Sequence, residues 1–208
     1  SNSIRLHHPH FIGHQLAPSA WPSAIADLVN GTINNGSSLF EMGPAASLIE
    51  QSVIRWLISK LPWPNHFKTT GILTSGGSLA NITCLLAARH HSVPDVWDKG
   101  ISQAITILAP ETCHYSISRA AAILGLGTES ITALPSDHLG RIIPDELERI
   151  LSQSKPGKTI MAVVANASAT ATGLYDNLYE IGQLCLRHEV WFHVDAAYGG
   201  AAAILPEK

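Results

Sequence analysis

Short apolar runs alternate with helical patterns along most of this chain, and that alternation constrains the fold more than any other feature. Strand-like segments fall at 104–109, 129–134, 159–165 and 190–194, with a shorter one at Gly71-Ile72-Leu73-Thr74. Between them, helical periodicity covers 114–124, 144–154 and 176–188, and Gly76-Gly77-Ser78 opens a helix running to about His90. Strand, helix, strand, helix is the pattern of a largely parallel sheet covered on both faces. The chain therefore reads as α/β, with a mostly parallel sheet flanked by helices. Pro144 suits the first turn of its helix, where its φ is preset and no N–H is needed. Asp176 is placed to cap the helix after it. Ahead of the first strand, 18–33 and 44–61 also read as helices; in the second, Leu48, Ile49, Val53, Ile54, Leu57 and Ile58 recur at helical spacing. The expected division is an N-terminal helical segment, 1–65, and an α/β portion, 66–208.

Composition narrows the partners. A chain of 208 residues, 46% of them hydrophobic, suffices for one large domain or a domain and a half with a substantial core. No run reaches the ~18 uninterrupted apolar residues of a membrane span. A net charge of −3 with no run of Lys or Arg argues against nucleic acid or an anionic membrane as partner. Cys84, Cys113 and Cys185 are isolated and odd in number, which suits a reducing, cytoplasmic setting better than a disulfide framework. No signal peptide is visible. The start, Ser1-Asn2-Ser3 without Met, has the look of a processing scar or a cut within a longer protein.

Three segments carry chemistry. In Val190-Trp-Phe-His-Val-Asp-Ala-Ala-Tyr-Gly-Gly200, an apolar strand delivers Asp195 to its C-terminal end, followed by small residues. In open α/β sheets that edge is where ligands sit. A carboxylate there can hold a pyridinium nitrogen protonated while a planar ring lies over Ala197; an Asp capping the turn fits the segment equally well. The second segment, Thr74 to Asn81, runs a strand into Gly76-Gly77-Ser78 and straight into a helix. Its glycines allow close backbone approach and its helix N-terminus offers N–H groups to an anion, so Gly77 and Ser78 form a phosphate cradle, although neither a P-loop nor G-x-G-x-x-G. A glycine turn with a serine cap is the plainer reading. The third, Ala109 to Ser116, sets His114 between an apolar strand and a helix. The run Ala165 to Gly173, a small-residue loop with a row of hydroxyls, ends another strand. Taken together, these strand ends describe one site with phosphate at one end, a ring in the middle and an acid at the far end. His7, His8, His10 and His14 invite a zinc reading, but no Cys or acidic residue lies near enough to complete it, and no metal is expected. His90 and His91 suit the negative end of a helix dipole.

Gly-Gly-Ser-x-Ala-Asn, a His opening a helix, and His-Val-Asp-Ala-Ala-Tyr-Gly-Gly, in this order and at these separations, resemble the group II pyridoxal-phosphate-dependent amino-acid decarboxylases. That family includes aromatic-amino-acid, glutamate, histidine and diaminobutyrate enzymes. The resemblance extends to His8-Pro9-His10-Phe11, to Gly13-His14-Gln15-Leu16-Ala17-Pro18 and to Glu41-Met42-Gly43-Pro44-Ala45-Ala46. It implies the large domain of the fold type I transferase architecture, here incomplete, with pyridoxal 5'-phosphate as cofactor, an L-amino acid as substrate and a homodimer. It also implies that Asp195 pairs with the ring nitrogen, Ala197 lies against the ring, and His114 stacks on its other face. Gly77 and Ser78 bind the phosphate, Thr170 sits near the ring substituents and substrate carboxylate, and Phe11, His14 and Gln15 shape the substrate pocket. His193 is structural. The family's cofactor-bonding lysine, usually after a His and roughly thirty residues past the aspartate, is expected beyond residue 208, and Lys208 is not assigned that role. Two alternatives stay open: another fold type I enzyme, such as an aminotransferase or lyase, and a non-catalytic paralogue that binds or dimerises. The Gly-His-Gln-Leu-Ala-Pro context looks more like the diaminobutyrate branch than the aromatic or glutamate branches.

Overall fold

The computed structural model describes residues 4–6, 8–13, 19–61, 68–153 and 157–205. The chain separates into two compact units, Ser1–Val53 and Ile54–Lys208. In the first, helix α1 spans Trp21–Ile33 and ends on Asn34, whose φ of 49° places it in the left-handed region that stops helices. Helix α2, Pro44–Ser59, begins in this unit. His8 and His10 face each other edge to face, with ring centroids 5.1 Å apart.

The second unit holds the sheet. Its elements run α3 (Gly77–Ser92), α4 (Val96–Lys99), β1 (Ala104–Pro110), α5 (Ser116–Ile123), β2 (Ile131–Leu134), α6 (Pro144–Ser152), β3 (Lys158–Asn166), α7 (Leu178–Arg187) and β4 (Trp191–Asp195). The strands lie in the order β2-β1-β3-β4, all pairs parallel. Side chains alternate between two cores, as the two-residue period of a strand requires. Ile105, Ile107 and Ala109 of β1 and Ala162 and Val164 of β3 pack against Leu85, Ile117 and Ala120 on one face. Leu108, Val163 and Ala165 pack against Leu147, Leu151, Ile181 and Leu184 on the other. With apolar residues on both faces, the strands read as continuous hydrophobic runs, which is why they were legible.

The chain leaves β1 toward β2 on one side, then crosses to β3 on the other. That reversal makes the C-terminal ends of β1 and β3 a switch point, where loops part and leave a crevice. Asn166 and Asp195 are register partners at this edge, so the last residues of β3 and β4 stand side by side.

Two expectations change. Gly71–Thr74 forms no strand: Ile72 and Leu73 are 64% and 55% exposed, and the segment joins none of the three ladders. An apolar pair signals burial or pairing only in context, and four residues headed by glycine offer few ladder bonds. Asp176 does not cap α7. It turns inward and is buried, while Asn177 takes the cap, its Oδ1 accepting the Glu180 N–H at 3.3 Å. The His91 ring packs 5.8 Å from that of Trp191, so a ring contact joins the helix-end placement that its sequence position suggested.

Candidate active site

One cleft of about 270 Å³ opens at the C-terminal edge of the sheet. Six residues singled out from sequence line it: Gly77, Ser78, His114, Thr170, Asp195 and Ala197. Phe11, expected to shape a substrate pocket, is half-buried in the first unit, its N–H donating to the His8 carbonyl at 2.8 Å. His14 and Gln15 lie outside the described residues, as do His7 and Lys208. Among the described residues no group of three or more His, Cys, Asp or Glu is placed to hold a metal ion, and no helix is long and apolar enough to cross a membrane.

The N-terminus of α3 lines the cleft. Gly76 holds φ at 145°, a region that side chains strongly disfavour, and turns the chain into the helix. A Cβ on Gly77 would stand 2.7 Å from the Cβ of Ala197, closer than two carbons can approach. Gly77 therefore lets the first turn of α3 lie directly on the turn that follows β4. The leading N–H groups of a helix lack intrahelical acceptors, so Gly77 and Ser78 present free donors and the positive end of the dipole.

Asp195, only 7% exposed, also lines the cleft. Its Oδ1 accepts the Ala197 N–H at 3.2 Å and its Oδ2 accepts Asn81 Nδ2 at 2.9 Å. The same Nδ2 donates to Ser116 Oγ at 2.9 Å, and Asn81 Oδ1 lies 3.0 Å from His193 Nε2. Ser116 Oγ is in turn 2.8 Å from His114 Nδ1. Burial pushes the His193 imidazole below its ordinary value, against the opposing pull of the Asp195 charge. Burial raises the Cys113 thiol, and the Asp195 charge raises it further. A buried carboxylate thus colours this whole edge.

The turn after β4 is fastened to the loop after β3. Gly199 N–H donates to the Ala167 carbonyl at 3.0 Å, and Tyr175 Oη donates to the Gly199 carbonyl at 2.8 Å. A Cβ on Gly199 would meet Ser168 N at 2.5 Å and Ala167 O at 2.6 Å, backbone atoms that cannot swing aside. Asn166 Nδ2 reaches Thr112 Oγ1 at 3.2 Å, joining the β3 end to the β1 loop. Sequence reasoning assigned no role to Asn81, Asn166, Ser168 or Tyr198, all of which line the cleft. For Asn81 a signal existed: it falls four residues after Gly77 on the same helix, hence on the same face one turn in.

The arrangement suits a flat ligand carrying an anion at one end and a protonated ring nitrogen at the other. Known proteins agree with that chemistry. Residues 3–208 match the family described as the pyridoxal-dependent decarboxylase conserved domain. Curated relatives include an acidic amino acid decarboxylase of Xenopus tropicalis, 34% identical over 96% of this chain and 39% of the relative. Another is the cysteine sulfinic acid decarboxylase of Mus musculus, 34% identical over 97% of this chain and 41% of the relative. Among solved structures, mouse CSAD superposes with a TM-score of 0.88 at 32% identity, covering 97% of this chain and 42% of that one. The glutamate decarboxylase domain of a Vibrio parahaemolyticus diaminobutyrate-pyruvate transaminase and L-2,4-diaminobutyrate decarboxylase gives a TM-score of 0.86 at 28% identity, covering 98% of this chain and 46% of that one. The chain thus spans about two fifths of the curated relatives it matches.

Proposed function

This chain belongs to the pyridoxal-dependent decarboxylase family, and we propose that its protein is a carboxy-lyase that removes the α-carboxyl group of an L-amino acid. The observation that carries the reading is the placement, in one cleft, of a helix N-terminus and a buried carboxylate. Pyridoxal phosphate bound there supplies an electron sink for the charge left when carbon dioxide departs.

The residues divide the work. Gly77 and Ser78 bind the phosphate through N–H groups and a hydroxyl at the positive end of α3. Asp195 keeps a proton on the ring nitrogen through a charge-assisted hydrogen bond, which is strong because the carboxylate is buried. The methyl group of Ala197 is small enough to leave room for a flat ring. His114 covers the opposite face and helps exclude water, and Thr170 orients the ring substituents and the substrate carboxylate. Phe11, His14 and Gln15 select the substrate, and the polar His14 and Gln15 favour a polar or aminated side chain over an aromatic one.

The reading extends to assembly and location. Helix α1 buries none of its residues and leaves Trp21, Ile25 and Leu28 exposed at helical spacing, which supports a homodimer. Three free cysteines support a cytoplasmic setting.

The test is release of carbon dioxide from a panel of L-amino acids by the full-length protein with pyridoxal phosphate. Asp195→Ala should lose about 3–4 kcal/mol of transition-state stabilisation, roughly 10²–10³ in kcat. Near-normal turnover in that variant would remove Asp195 from the mechanism, a strong preference for an aromatic substrate would overturn the pocket assignment, and transamination without carbon dioxide release would identify a different reaction.

A further inference from the structure

We propose that Asn81 is a positioning residue that acts through Asp195, its side-chain amide fixing the carboxylate at the acidic end of the cleft and, by way of Ser116, fixing the ring proton of His114 on Nε2. The inference rests on the reading of Asp195 as the partner of the cofactor's ring nitrogen.

The donor directions follow from atom types. The Asn81 amide nitrogen donates to Asp195 Oδ2 at 2.9 Å. The opposite orientation would set two oxygens against each other in a buried place. The second amide hydrogen goes to Ser116 Oγ at 2.9 Å. Asn81 Oδ1 is thereby turned to His193, whose Nε2 must supply the hydrogen across 3.0 Å. Having accepted from Asn81, Ser116 Oγ has its own proton to give to His114 Nδ1 at 2.8 Å. The backbone N–H of Ser116 also points at Nδ1, at 3.2 Å, and that bond has only one possible direction. His114 Nδ1 therefore accepts, and its ring proton resides on Nε2. The burial that lowers His193 favours the single-proton ring that this pattern needs.

One buried side chain, 4% exposed, thus sets both groups that would flank the ring. Among the described residues each Asp195 oxygen has one protein donor, Ala197 N–H on Oδ1 and Asn81 on Oδ2, and keeps acceptor capacity for a ligand. Without the Asn81 donor the carboxylate keeps the Ala197 N–H on Oδ1 but loses the bond that fixes Oδ2, and its aim at a ring nitrogen loosens.

The experiment compares two ligands, pyridoxal phosphate and its carbocyclic analogue with C–H in place of the ring nitrogen. Their dissociation constants are measured by equilibrium dialysis on full-length wild type, Asn81→Ala, Asn81→Leu and Asp195→Ala. Wild type prefers the natural cofactor, and Asp195→Ala abolishes the preference. Both Asn81 variants are expected to cut the preference by about tenfold or more, the size of one charge-assisted hydrogen bond. Their affinity for the analogue should change much less. Asn81→Leu keeps the side chain's branched shape while removing the donor, so the inference remains testable if Asn81→Ala fails to fold. Retention of the wild-type preference, equal weakening of both ligands, or loss of all binding in both Asn81 variants would make Asn81 a residue of the fold alone and overturn the inference. If Asp195→Ala keeps the preference, the reading of Asp195 falls first and takes this inference with it.

Discussion

Replacing Asp176 by Asn tests how the C-terminal edge of the sheet is held. The buried carboxyl accepts two backbone N–H groups, Ile142 on Oδ1 at 2.8 Å and Asn166 on Oδ2 at 2.7 Å. Asn166 closes β3 and is the register partner of Asp195, so this one side chain ties the floor of the cleft to the segment entering α6. Asp176→Asn preserves size and removes one acceptor. Whichever way the amide turns, its NH2 group confronts a backbone N–H. A buried donor left unpaired costs about 1–3 kcal/mol. An opposing effect comes from burial, which pushes the Asp176 carboxyl above the usual carboxylate range despite the two N–H donors that favour its charged form. The amide has no charge to bury, so part of the loss is recovered. Because the folded value is raised, stability from this group is fully present below the ordinary value near 4 and declines as pH rises through the folded value. The variant lacks that decline. Its deficit should therefore be about 1–3 kcal/mol in mildly acidic buffer and should narrow as pH increases. Urea unfolding of the unliganded protein, followed by tryptophan fluorescence at several pH values, measures the difference. A deficit within about 0.5 kcal/mol at every pH, the range of ordinary surface changes, would refute the argument that both N–H groups depend on this carboxyl.

Other outcomes follow from the same geometry. Gly77→Ala places a methyl group 2.7 Å from the Ala197 Cβ; the forced separation should cost about 1–3 kcal/mol and weaken pyridoxal phosphate binding, read as a change in dissociation constant. Burial lowers the folded value of His193 below about 6.5. Its contribution to stability should thus be intact above that pH and lost as pH falls through the window beneath it, a dependence that His193→Gln should flatten in thermal melts. The Cys185 thiol is buried and pushed up to about 12, so iodoacetamide at pH 8 should spare it in the native protein while labelling exposed Cys84, as peptide mass spectrometry would show.

The local pattern of the chain carried much of this fold. Continuous apolar runs can form strands only if both faces are covered, and amphipathic segments such as Pro144–Ser152 can bury only one side, so a parallel sheet between helices was legible before any coordinate. Glycines and small residues at strand ends marked where backbones approach, and Gly77, Ser78, His114, Thr170, Asp195 and Ala197 do meet in one cleft. Tertiary structure decided what short-range pattern leaves open. Ile72 and Leu73 form no strand, because pairing depends on a neighbour in space and not on hydropathy. Asp176 sits where a capping residue would, yet two buried N–H groups from distant segments claim its carboxyl. Asn81, 114 positions before Asp195, becomes its donor only after α3 is laid across the sheet. Periodicity records which face a residue must hide. The partner of a buried polar atom is fixed by distance and direction, which exist only once the elements have packed.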